Sequence, residues 1–191
     1  MGMSLSWIAV KGVDKPALLE ALGLEEVDRQ WDLYSPTPPQ ALATLDDWLI
    51  VLAKNFDYPS AERMTKISVG GTALSCSIEE HVMYSVARCY QDGQRVWSVD
   101  HDGGKGVHHL DIVGAPPAEL AAVSEHLAAQ QAAEDVEGAE VDHIFDVPAD
   151  TIKALCGFKI DDEEADSVVF KLLEPVGGKG GGFLTKLFGR K

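Results

Sequence analysis

The chain has 191 residues, 46% hydrophobic and 25% charged, which excludes wholesale disorder and collagen-like repetition and allows one ordinary core. Sixteen basic residues against 31 acidic ones leave a net charge of −15, a balance that argues against gripping nucleic acid by its phosphates. Three scattered cysteines, Cys76, Cys89 and Cys156, with no Cys-x-x-Cys pair, read as reduced, packed thiols and point to a cytoplasmic protein.

The elements follow in order. No early apolar run has the form of a signal peptide, and no stretch approaches the ~20 apolar residues of a membrane span. Met1-Gly2-x-x-x-Ser6 matches a myristoylation pattern too short to carry weight. Ser6 to Lys11 reads as a strand. Asp14 caps a helix over Lys15 to Leu22, with Pro16 in its first turn and Gly23 as its stop. Ser35 to Pro39 is a proline-rich loop, and Trp48 to Ala53 is a buried strand. A helix is expected from about Pro59 to Ile67, ended by Gly70-Gly71.

Thr72 to Ser77 and Val82 to Tyr90 read as strands. Asp92-Gly93 is a hairpin signal, Gln94 to Asp100 returns, and Val107 to Val113 completes an antiparallel meander. An alanine-rich helix opens after Gly114-Ala-Pro-Pro117. Glu134 to Asp142 reads as an acidic loop, Val141 to Val147 as a strand, and Asp150 to Cys156 as a helix stopped by Gly157. Asp161 to Asp166 is an acidic loop, and Val168 to Leu173 a last strand. A strand–helix–glycine unit at Trp7 to Leu24 is echoed weakly at His143 to Phe158.

Strands and helices therefore mix without strict alternation. The expected class is α+β: an antiparallel sheet with a central three- to four-strand meander, backed by helices, over residues 1–176. Residues 177–191 form a glycine-rich tether and a basic amphipathic tail, with Phe183, Leu184, Leu187 and Phe188 on one helical face. The four basic residues after Gly177 leave the remainder with 12 basic and 31 acidic, a net of −19.

No nucleotide-binding, GxSxG or HExxH motif is present. Side chains that bear chemistry gather in the meander. Centring its first turn on Asp92-Gly93 puts Tyr84 opposite His101 and Ser85 opposite Asp100. Centring the second on Gly103-Gly104 puts Val99 opposite His108 and Ser98 opposite His109. One face then carries Tyr84, Val86, Arg88, Tyr90, Trp97, Val99, His101 and His108, and meets helices. The other is small and polar, with Ser85, Ala87, Cys89, Ser98, Asp100, His109 and Asp111, and meets solvent or a partner. A one-residue slip exchanges the faces.

Two histidines and an acid, His101, His108 and Asp102, have the ligand chemistry of a divalent-metal site at a sheet end, on a spacing that is no diagnostic motif. No other cofactor is indicated. Ser85 or Ser98 with His109 and Asp100 has the residue types of a triad, but a flat strand face offers no oxyanion hole. Cys89 has nothing on its own face to lower its pKa.

Function is expected from charge: an acidic protein-binding domain, bacterial in style, an inhibitor or immunity-type partner of a basic protein. A small metal-dependent enzyme using His101, His108 and His109 is one alternative. Peripheral attachment to a membrane surface or scaffold through the tail is the other.

Overall fold

A computed structural model describes residues 2–31, 40–137, 141–162 and 167–177. Among the described residues nine antiparallel strands form one sheet: β1 (Ser4–Lys11), β2 (Leu24–Gln30), β3 (Gln40–Leu45), β4 (Trp48–Ala53), β5 (Thr72–Glu79), β6 (Tyr84–Gln91), β7 (Gln94–Asp102), β8 (Asp111–Gly114) and β9 (Lys171–Pro175). Their order across the sheet is β2-β9-β3-β4-β1-β5-β6-β7-β8. With α1 (Lys15–Leu22), α2 (Ala61–Ile67), α3 (Ala118–Glu137) and α4 (Val147–Cys156), the fold is α+β, and β5 to β8 form the expected meander.

Local chemistry sets the element ends. Asp14 accepts from the Ala17 amide at 2.8 Å, and Ser60 from the Arg63 amide at 3.3 Å, satisfying donors that a helix start leaves open. Gly23 and Gly157 close α1 and α4 in the left-handed conformation, at φ 69° and 78°.

Helices cover both faces of the sheet. α3 and α4 cover Trp7, Leu52, Cys76, Ala87, Trp97 and Val99, while α1 and α2 cover Ile8, Val10, Val51, Ala73 and Tyr90. β4 and residues 7–10 of β1 therefore read as unbroken apolar runs rather than alternating ones. Each fully buried Ile or Leu here contributes roughly 1.5–3 kcal/mol.

Several expectations are corrected. β2 and β3 were not anticipated: β2, Leu24–Gln30, is mostly exposed and polar. The second turn of the meander is not a two-residue hairpin. A 3-10 turn at Gly103–Lys105 and a loop carry the chain to β8, which starts only at Asp111, so His108 and His109 lie on the loop. α3 runs on to Glu137, through part of the expected acidic loop. Val141 to Val147 is not a strand, because a 3-10 turn at Ile144–Asp146 leads into α4. The echo of the first strand–helix unit thus lacks its strand. β9 covers Lys171–Pro175 rather than Val168 to Leu173. Residues 35–39, the tail docking residues Phe183, Leu184, Leu187 and Phe188, and part of the 161–166 loop lie outside the described residues.

The expected faces of the meander are also corrected. Gln91 faces Gln94 and Tyr90 faces Arg95, as an Asp92-Gly93 turn requires. Cys89 then faces Trp97, leaving Val96 as an extra residue in a bulge. Beyond it the pairing is shifted by one: Ser85 faces His101, Val86 faces Asp100 and Tyr84 faces Asp102. Ser85, Ala87 and Cys89 therefore join Trp97, Val99 and His101 beneath α4 and the 3-10 turn before it. Tyr84 and Arg88 join Ser98, Asp100 and Asp102 on the opposite face.

Candidate functional site

The face shared with α1 and α2 changes character along the strands. The register gives one cross-sheet row as Leu49, Val10, Ala73 and Tyr90, which the two helices cover. Moving toward the far end of the strands, the next rows pass through Ile8, Ser75, Arg88, Ser98 and Val113, then Ser6, Ser77, Val86, Asp100 and Asp111. The last holds Ser4, Glu79, Tyr84 and Asp102. The apolar cluster beneath α1 and α2 includes none of these residues of the last two rows, where a loop bonds to the sheet instead.

That loop, residues 54–58, is held by the sheet itself. Buried Ser6 donates to the Asn55 carbonyl at 2.7 Å, and buried Ser77 to the Phe56 carbonyl at 2.9 Å. Asn55 Oδ1 accepts from the Asp57 amide at 2.9 Å, closing a local turn. The buried serines thus find partners in loop carbonyls, and the loop is fixed so that Phe56 meets Tyr84, ring centroids 5.8 Å apart and tilted 53°. Between loop and sheet lies an open cavity of about 660 Å³, lined by Ser4, Lys54, Phe56, Asp57, Glu79 and Tyr84, among others. The Lys54 ammonium lies 5.0 Å from the centre of the Trp31 ring.

The electrostatics of this face are acidic. Asp100 and Asp111 stand directly opposite each other on β7 and β8, with Asp102 two residues along. Neither Asp100 nor Asp111 forms an ion pair among the described residues, while Asp102 meets Lys105 at 3.5 Å. Burial pushes the Tyr84 hydroxyl above its ordinary pKa, and Asp100, Asp102 and Asp111 push the same way against Arg88. Tyr84 is therefore a neutral hydrogen-bond donor at neutral pH. A hydrogen bond from Ser4 and another with His81 hold Glu79 below the usual carboxylate range.

The structure does not gather the residues expected to share a metal. His101 is fully buried: its Nδ1 donates to the His109 carbonyl at 2.8 Å, and its Nε2 lies 3.0 Å from Asp142 Oδ2 without hydrogen-bond alignment. His108 pairs with Asp135 of α3 at 2.9 Å, and Asp102 Oδ1 accepts from the Gly104 amide. Among the described residues no three His, Cys, Asp or Glu side chains converge as ligands. His109 Nδ1 accepts from the Asp102 amide at 3.0 Å, which places its proton on Nε2.

The expected polar set divides. Ser98 and Asp100 lie on the open acidic face. Ser85 is buried on the other side, donating to the Phe145 carbonyl at 2.6 Å, and His109 is on the loop. Among the described residues neither serine hydrogen-bonds to His109: Ser85 donates to the Phe145 carbonyl, and His109 Nδ1 is taken by the Asp102 amide. Cys89 and Cys156 are buried, which pushes each thiol up to about 11, and burial also pushes the Cys76 thiol well above its ordinary value. Sequence reasoning missed Phe56, Asp100's pairing with Asp111, and the loop that makes the cavity. The only signal was the row of serines on strands of an otherwise apolar core. No protein-family model, curated protein or solved structure matches the chain.

Proposed function

We propose that the chain is a protein-binding domain that holds a basic partner on the uncovered acidic part of its sheet. The supporting observation is the facing pair Asp100 and Asp111, without an ion pair among the described residues and flanked by Asp102. Like charges directly opposite on adjacent strands destabilise a sheet, so they suit a surface that is completed by an external cation. Net charge extends the attraction beyond contact and speeds encounter. An inhibitor or immunity-type partner of a basic protein is the form of this reading that fits the size and charge.

The test is calorimetric titration with a decalysine peptide at low and physiological salt. Asp100→Asn combined with Asp111→Asn is expected to weaken binding about fivefold at low salt. Neutralising the exposed helix acids Glu62 and Glu125 should change it far less. Equal losses in the two double variants, or no binding at low salt, would overturn the proposal.

A further inference from the structure

We infer that the cavity between Phe56, Tyr84 and Glu79 takes an arginine side chain of that partner, in preference to lysine. This deepens the binding reading and rests on it.

A lysine ammonium is a compact, strongly hydrated charge that any carboxylate row attracts. A guanidinium is planar and more weakly hydrated, and it gains from a flat aromatic surface beside an acceptor for its forked N–H groups. The cavity supplies both. Phe56 and Tyr84 line it with two partly buried rings, centroids 5.8 Å apart and tilted 53° to each other. Glu79 sits beside Tyr84 in the cross-strand register, and Asp57 contributes a second carboxylate from the loop. Both are acceptors for N–H groups.

The one cation in the lining, Lys54, has its ammonium drawn over the Trp31 ring. At about 660 Å³, the volume far exceeds one guanidinium, so the stem and adjoining backbone fit as well. Tyr84 forms the shared wall between this cavity and the aspartate row. A peptide with one arginine in the cavity therefore has its neighbouring basic residues within reach of Asp102, Asp100 and Asp111.

The experiment compares two peptides of equal charge, five Gly-Arg repeats and five Gly-Lys repeats, binding to the full chain at physiological salt. The arginine peptide is expected to bind about threefold tighter or better. That preference should vanish in Phe56→Leu and in Glu79→Gln. It should persist in Asp100→Asn/Asp111→Asn, which weakens both peptides alike. Tyr84→Phe, which keeps the ring, should retain it too. If Phe56→Leu fails to fold, the ring proton resonances of Phe56 and Tyr84 in the unsubstituted protein decide the matter: they should shift with the arginine peptide and not with the lysine one. Equal affinity for the two peptides would overturn the cavity assignment while leaving the acidic-face reading intact. A preference that survives both Phe56→Leu and Glu79→Gln would also overturn it. Binding of neither peptide, at low salt as well as physiological salt, would remove both readings together.

Discussion

Asp100 and Asp111 stand opposite each other on neighbouring strands, and neither forms an ion pair among the described residues. Two carboxylates in that relation repel, at a cost of about 0.2–1 kcal/mol relative to a neutral pair. A surface kept for recognition often carries such a cost. Asp111→Asn should therefore raise stability by about 0.5 kcal/mol in urea unfolding, while weakening capture of a basic peptide. A variant that loses stability would show that Asp111 serves the fold.

The histidine–carboxylate pairs differ in worth because they differ in burial. His101 is fully buried and Asp142 is 15% exposed, whereas His108 and Asp135 are 65% and 39% exposed. Asp142 Oδ1 also accepts from the Phe145 amide at 3.1 Å, so this carboxylate holds the turn that leads into α4. Asp142→Ala is expected to cost on the order of 2 kcal/mol and to speed amide exchange across residues 144–146. His108→Ala should stay within about 0.5 kcal/mol. Equal effects in thermal unfolding would remove the distinction.

Lys159 is caged by Asp150 at 2.9 Å, Asp146 at 3.0 Å and Asp161 at 3.5 Å. Burial alone would lower its pKa, but hydrogen bonds and attraction from Asp150 and Asp146 outweigh it and hold the lysine well above its ordinary value. Asp146 moves the other way from a simple ion-pair partner: burial raises it more than Lys159 lowers it. The two directions agree once the charges are counted, because one ammonium cannot compensate three carboxylates. The lysine's raised value is what governs stability at high pH. A base whose folded pKa exceeds its unfolded one stabilises fully below the unfolded value, ~10.4, and loses this as pH climbs through the folded value. Lys159→Met should cost about 3 kcal/mol at neutral pH. The gap from the unsubstituted protein should narrow above about pH 10.5. A gap that is flat with pH would show that the stem's packing, and not the charge, carries the effect.

How much of this was legible follows from where the information sits. Caps are local, so Asp14, Pro16 and Gly23 announce α1 correctly, and Asp92-Gly93 announces its turn. A turn sets register only as far as the next irregularity. The extra residue Val96 exchanges which residues accompany Ser98 and Asp100, although that pair itself was placed on a polar face. β2 escaped because a mostly exposed strand, Leu-Glu-Glu-Val-Asp-Arg-Gln, needs little apolar character. The cavity escaped because it depends on a loop, and nothing in the spacing of Ser6 and Ser77 says that their hydroxyls will meet the Asn55 and Phe56 carbonyls.

The bulge has one partner that can be tested directly. Gly114 ends β8 opposite Trp97, with φ 89°, and a Cβ built there would come within 2.2 Å of the Val96 carbonyl oxygen. The same oxygen accepts from the Ala115 amide at 3.1 Å. The bulge thus turns a carbonyl toward the end of β8, and only a residue without a side chain lets the backbone pass. Gly114→Ala brings both a strained φ and a contact with backbone, which cannot yield as a side chain would. A loss of roughly 2–3 kcal/mol is expected, with faster amide exchange in β8 and in the first turn of α3. Deleting Val96 in the same chain tests the cause. With Val96 gone, simple hairpin register puts Cys89 opposite Trp97, Ala87 opposite Val99 and Ser85 opposite His101, the pairs already present, so both faces are kept. The deletion variant should therefore fold with its near-ultraviolet tryptophan spectrum unchanged, and Gly114→Ala should cost less in it than in the chain that keeps Val96. An equal cost in both backgrounds would show that the bulge carbonyl is not what requires glycine at position 114.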